Sequence, residues 1–272
     1  MSRDGEPSAE IDGTATFGLG PAGMGPARRA ARSAFRWVLA GATGRPSRVH
    51  VFDSYSELLD ELEGLAFAWL PPATYVRAQS RMPLTIVRGI QRGTETQYRS
   101  VLFTRDVEGV RDLTSLRDAR VAWVDRDSCS GHLFPRLALR STGLHPHEVF
   151  AEELFLGSHS AVVHAVGRGF ADVGASYMRV DEKGEPQSQS FVQDGERYRV
   201  LLVSEPIPAD VVVAGPIASA REVVSMRRAL RGLTRNDEGR EVMRGIFDAD
   251  DFVEAAPADY RVVRDALAAM LE

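Results

Sequence analysis

Residues 125–135 read DRDSCSGHLFP: three small hydroxyl or thiol side chains in succession, then Gly, His and an apolar run. Three chemistries fit such a stretch. Ser128, Cys129 or Ser130 could be a nucleophile at a strand-to-helix turn. The G-x-S-x-G elbow needs a glycine two residues before the serine, however, and neither serine has one. Cys129 at a helix start could have a lowered pKa, yet no base is paired with it in the sequence. The second chemistry is an anion cradle. The first amides of a helix lack intrahelical acceptors and carry the positive end of its dipole, and small residues such as Gly131 let an oxyanion approach the backbone. The third is an ordinary N-cap, which serine favours. A cap needs one such residue, whereas this turn has two hydroxyls and a glycine, so cradle and cap stand level on local chemistry.

Two other patterns carry weaker signals. Gly18-x-Gly20-x-x-Gly23 follows a strand and precedes a helix, with Asp53 ending the next strand, which is the outline of a dinucleotide fingerprint. Pro21 interrupts the glycine core and Gly25-Pro26 delays the helix, so a Gly/Pro-rich connecting loop is the favoured reading. His145 and His147 flank Pro146, and His159 and His164 share one expected helix at i, i+5. Ligands on one helical face need i, i+4, so no metal site is expected, and no cofactor is implied.

The elements that must position these residues alternate along the chain. Strands are expected at 14–19, 48–53, 65–70, 84–90, 97–105, 120–125, 171–178, 197–205 and 210–215. Helices are expected at 27–44, 54–64, 73–80, 113–119, 132–143 and 158–169, with an extended segment within 148–156. From Ala220 to Glu272 the chain reads as helical, with a Gly-containing break near 232–239. Residues 1–13 form a polar, flexible tail, and 181–189 a polar excursion. Strands separated by short helices indicate an α/β fold with mostly parallel sheets.

The chain has 272 residues, 44% hydrophobic and 26% charged, which suits a globular protein of one large or two smaller domains. A net charge of −5 gives no electrostatic footprint for nucleic acid. Cys129 is the single cysteine, which excludes an intramolecular disulfide and a multi-cysteine zinc site. Lys183 is the only lysine. No window approaches 18 consecutive apolar residues, so no membrane span is expected. The start, MSRDGEPSAEIDGTATFG, lacks a basic stretch followed by an apolar one, and the expected location is cytoplasmic.

Five stretches in order carry a resemblance: DSYSELLDELEGLAFAWLPPATY; YRSVLF; LTSLRDARVAWVDRDSCSGHLFPRLALRSTG; LGSHSAVVHAVGRGFADVGAS; and SEPIPADVVV. From about residue 14 onward the chain resembles the PhnD-type phosphate/phosphite/phosphonate-binding proteins of ABC transporters. The resemblance implies a two-lobed α/β fold of the type II periplasmic-binding-protein class. Lobe 1 would comprise 14–103 plus 205–272 and lobe 2 would comprise 104–204, with YRSVLFT and VLLVSEPIPAD as two hinge crossings. It implies a small anionic ligand held in the cleft by Tyr55, Tyr98, Ser128, Cys129, Ser130, Gly131, His159 and Asp210, and an ABC permease partner if the protein is exported. Cys129 departs from the small hydroxyl usual there. The acidic residue by which some members pair a ligand ammonium has no counterpart in Ser176-Tyr177-Met178-Arg179, which puts a cationic ligand tail in doubt.

The functional expectation is therefore binding of a phosphonate- or phosphate-like oxyanion by a non-catalytic protein acting in the cytoplasm. In such a site Asp210 would reject acceptor-only oxygens and accept a ligand O–H. The alternative is a cytoplasmic biosynthetic enzyme on the same fold, resembling the menaquinone-pathway dehydratase and thiamin-pyrimidine synthase families, with His159 as acid/base.

Overall fold

A computed structural model describes residues 13–21, 27–106, 109–178 and 198–270. Most of the tail at 1–13, Gly23, Gly25, Pro26, Arg179 and the excursion at 181–189 lie outside the described residues.

The chain opens with β1 (Ala15–Leu19), α1 (Ala27–Thr43), β2 (Ser47–Val51), α2 (Tyr55–Glu61) and β3 (Phe67–Leu70). Next come α3 (Pro72–Arg81), β4 (Thr85–Gln91), β5 (Gln97–Arg105) and β6 (Ala119–Trp123). A π-helical turn, Cys129–Leu133, leads into α4 (Phe134–Ser141), followed by α5 (Pro146–Val149), β7 (Phe150–Phe155), α6 (His159–Gly167) and β8 (Val173–Met178). The remainder is β9 (Tyr198–Val203), β10 (Ile207–Pro208), β11 (Val211–Ala214), α7 (Ala220–Leu233), α8 (Asp237–Phe247), β12 (Asp251–Val253) and α9 (Arg261–Ala269).

Two compact units result. The first comprises 1–70, 78–90 and 212–254, and the second 71–77, 91–211 and 255–272. Both segments expected as crossings, 98–104 and 200–210, lie wholly within the second unit, as do residues 91–103 and 205–211, which the sequence reading gave to lobe 1.

The first unit holds the sheet β12-β4-β11-β3-β1-β2, with β1 parallel to both β2 and β3. Its core is an aromatic cluster. Phe17 meets Phe35 edge-on at 4.9 Å, Phe35 meets Phe247 at 5.3 Å, and Phe247 meets Phe252 at 5.2 Å. Edge-to-face pairs of this kind each add on the order of 1 kcal/mol beyond area burial.

The second unit holds the sheet β10-β5-β8-β6-β7, with β9 also on β5. β6 runs parallel to β7 and β8, whereas β5 pairs antiparallel with β8, β9 and β10. Side chains alternate across this sheet with the period of two that strands require. Val101, Phe103, Ala122 and Val124 join the α6 residues Val162 and Val166 in one core cluster. Leu102, Val121 and Trp123 join Leu139 of α4 in the other.

The structure corrects several sequence expectations. The helix expected over 113–119 is one 3-10 turn, Leu113–Ser115, capped by Asp112, and the next strand begins at Ala119. The C-terminal region is not helical throughout. α8 ends at Asp248 in the left-handed region, and a short strand and a Pro257 turn precede α9. That last segment, 255–272, groups with the second unit rather than with residues 212–254. The Tyr260 hydroxyl donates to the Ala209 carbonyl at 3.0 Å, and Arg140 of α4 donates to the Ala269 carbonyl at 2.6 Å.

Candidate functional site

β6 delivers the chain to the stretch that opened the sequence reading. Ser128 is extended (φ −69°, ψ 120°), and its Oγ accepts the Gly131 amide at 3.0 Å, so it caps the turn as serine does at helix starts. The Leu133 amide then donates to the Ser128 carbonyl at 3.0 Å and the Phe134 amide to the Cys129 carbonyl, a five-residue spacing. Pro135 accounts for part of this geometry. It has no N–H to give the Gly131 carbonyl four residues back. That carbonyl accepts the Val124 amide instead, at 3.1 Å, and so ties the turn to the end of β6. Gly131 is required on steric grounds: a Cβ there would lie 2.3 Å from Val124 Cγ2 and 2.8 Å from Ser128 Oγ.

Around the turn the second unit gathers neutral donors. Tyr98, from β5, is hydrogen-bonded to the Ser130 side chain. Burial pushes its phenol well above the usual range; the neighbouring Cys129 and Asp210 add to this, while Arg92 and the Ser130 bond oppose it. Cys129 is 4% exposed. Its thiol is pushed up to about 12, mainly by burial, against the opposing pull of the Ala73 amide at the start of α3. Cys129 is therefore a protonated thiol at neutral pH and not an activated nucleophile. Beside the turn, Arg77 pairs with Asp127, and Asp125 accepts the Asp127 amide at 2.8 Å.

Asp210 is engaged by Arg92 at 2.7 Å, both side chains being mostly buried. The sequence reading gave its carboxylate to a ligand O–H; here it has a cationic partner from the segment between β4 and β5. Behind it, burial and the Asp210 charge raise the Tyr260 phenol, which edges against Tyr75 at 4.6 Å.

His159 is the first residue of α6, where the Ser158 Oγ accepts the Ala161 amide at 3.2 Å. Its Nδ1 lies 3.0 Å from the Ser176 hydroxyl of β8, and its ring meets Tyr177 edge-on at 5.0 Å. Burial lowers the imidazole to about 4, so it is neutral at physiological pH. His159 is connected to the turn through paired strands. Tyr177 stands opposite Ser100 of β5, and the Ser100 hydroxyl donates to the Ser130 carbonyl at 2.7 Å.

Seven of the eight expected residues, Tyr98, Ser128, Cys129, Ser130, Gly131, His159 and Asp210, thus lie in the second unit. Tyr55 lies in the first, at the start of α2. There its ring covers Gly20, where a Cβ would lie 2.1 Å from the ring edge. That packing explains the second glycine of the dinucleotide-like pattern without a pyrophosphate. Residue types alone did not bring forward Arg92, Ser100 or Ser176. Ser100 and Ser176 are 1% and 0% exposed, and a serine within the apolar alternation of a strand was the available signal. Arg92, in a turn among many arginines, gave none.

Chemically, the described part of the site presents hydroxyl, thiol, imidazole and helix-start amide groups, with the Asp210 carboxylate opposed by Arg92 and that of Asp127 by Arg77. Such a set can hold an oxyanion by dipoles.

Among solved structures, the fold is similar to XAC2383 from Xanthomonas citri bound to ATP, with 16% identity and a TM-score of 0.74, covering 94% of this chain and 96% of that one. It is equally similar to PhnD1 from Prochlorococcus marinus in complex with methylphosphonate, at 17% identity and TM-score 0.74, covering 93% and 97%. The binding protein component of an ABC phosphonate transporter from Pseudomonas aeruginosa matches at 17% identity and TM-score 0.74, covering 93% and 85%. At these identities the likeness establishes the fold, that of the type II periplasmic-binding proteins. Residues 23–260 match the family described as ABC transporter, phosphonate, periplasmic substrate-binding protein, and it is to this family of ligand-binding proteins that the chain belongs.

Proposed function

We propose that the protein binds a small tetrahedral oxyanion of the phosphonate or phosphate type, without chemical conversion, at the Ser128–Gly131 turn, as the ligand-binding partner of an ABC permease. The observation that carries this reading is the placement of Tyr98 on Ser130 at a capped helix start. Tyr98, Ser130 and His159 supply donors from their side chains, and the amides that open the turn supply more. The methylphosphonate of the Prochlorococcus protein and the ATP of the Xanthomonas protein share a phosphorus oxyanion, which fits this donor set. A cationic ligand tail is disfavoured, since Ser176, Tyr177 and Met178 bring no acid to the end of β8.

The biosynthetic-enzyme alternative asks more of His159 than its surroundings favour. A neutral imidazole bonded to a serine hydroxyl, with its ring largely desolvated, is a weak base at pH 7. The test is isothermal titration with methylphosphonate, phosphite, inorganic phosphate and ATP, followed by recovery of the ligand. Saturable binding of one of these, recovered unchanged and weakened at least tenfold by Ser130→Ala, is expected. No heat and no thermal stabilisation from any of the four at millimolar concentration would refute the reading, and turnover of the bound compound would favour the enzyme.

A further inference from the structure

The Ser176 hydroxyl is fully buried in β8, and His159 Nδ1, 3.0 Å away, is its hydrogen-bond partner among the described residues. Only two arrangements of protons fit this pair. In one, Nδ1–H donates to the serine oxygen, and the serine's own buried O–H has no acceptor among the described residues. In the other, the serine O–H donates to a bare Nδ1, and the imidazole proton sits on Nε2. An orphaned buried donor costs far more than an unused oxygen lone pair, so the second arrangement prevails. The edge-on contact with Tyr177 at 5.0 Å and 86° fixes the ring plane as well. The ring is thus held at one nitrogen and one edge, and the other nitrogen is left as the variable group.

We propose that Ser176 is a positioning residue that holds His159 in its neutral Nε2–H form, making the imidazole a fixed hydrogen-bond donor toward an oxyanion. The proposal rests on the oxyanion-binding reading above. It also implies a selectivity for the site. A histidine locked as a donor favours an acceptor oxygen of the ligand and discriminates against a ligand O–H at the same place. Ser176 itself need never touch the ligand.

The test uses the full chain labelled with 15N-histidine. Long-range 1H–15N spectra at pH 7 are recorded for the wild type and Ser176→Ala, with the His159 signals assigned by their loss in His159→Gln. Both proteins are then titrated with methylphosphonate and inorganic phosphate. The wild type should show the shifts of a bare Nδ1 and a protonated Nε2. Ser176→Ala should show averaged shifts of mixed tautomers and bind the anion about five- to tenfold more weakly. A wild-type spectrum with the proton on Nδ1 overturns the proposal. So does a Ser176→Ala protein whose tautomer and affinity match the wild type. If neither anion binds the wild type, the oxyanion reading fails, whereas the spectra alone still decide whether Ser176 sets the tautomer.

Discussion

Arg92 reaches Asp210 across 118 positions of sequence and holds it at 2.7 Å, with 21% and 14% of the two side chains exposed. A pair this far from water is worth more than a surface bridge, and either member alone is worse than neither. Arg92→Ala and Asp210→Ala are each expected to destabilise by about 2 kcal/mol. The double variant should lose less than either single change, leaving a coupling of about 2–3 kcal/mol. Urea denaturation of the four proteins measures it, and additive losses would show that the pair contributes no coupling.

Gly131→Ala places a methyl group 2.3 Å from Val124 Cγ2 and 2.5 Å from its Cβ. Overpacking of this kind costs about 1–3 kcal/mol. Combining it with Val124→Ala removes the nearer contact but leaves the second, so stability should recover in part. Calorimetric midpoints read the outcome; full tolerance of the single change would mean that the turn can shift.

Cys129 should be chemically silent. With burial raising its thiol to about 12, only about one molecule in ten thousand carries a thiolate at pH 8. Iodoacetamide at pH 8 is expected to leave the folded protein unlabelled and to label it fully in denaturant, as read by intact mass. The linkage sign follows. The folded pKa lies above that of the unfolded thiol, so this contribution is complete below about pH 9 and declines as the pH rises toward 12. Rapid labelling without denaturant would contradict the buried placement.

His132 and His159 are both lowered to about 4, His132 by burial first and by Arg136 second. The unfolded imidazoles protonate near pH 6.5 while the folded ones do not, so stability is complete above about 6.5 and declines as the pH falls toward 4. For His132, which is 5% exposed, the loss by pH 4 is on the order of 3 kcal/mol. Denaturation midpoints measured at pH 7, 5.5 and 4.5 should fall steadily, and His132→Gln should flatten the decline. An equally steep profile in the variant would assign the acid sensitivity to other groups.

The alternation of strands and helices was legible because it rests on apolar periodicity, and the paired faces of β5 and β6 follow that pattern residue by residue. Short elements were not. β12 is three residues long, and the turn at Leu113–Ser115 depends on one aspartate cap. The hydroxyl-rich turn could be found from residue types, but its π geometry depends on where the Gly131 carbonyl finds its donor. The partners of Asp210 and His159 were hidden for a different reason. Both pairings join distant segments, and an arginine or serine looks the same in sequence whether it faces water or a buried group.

The missing N–H of Pro135, the bare Cα of Gly131 and the side chain of Val124 form one interlocked unit. The carbonyl that the proline releases is the one that fastens β6, and the glycine is what lets valine sit against it. Such a unit restricts how the sequence can drift. Relatives that lose the proline should also carry altered residues at 124 or 131, and a chain that changes only one of the three inherits a turn that no longer meets its strand. Covariation among these positions would therefore record the shape of the turn more faithfully than the identity of the hydroxyl residues beside it.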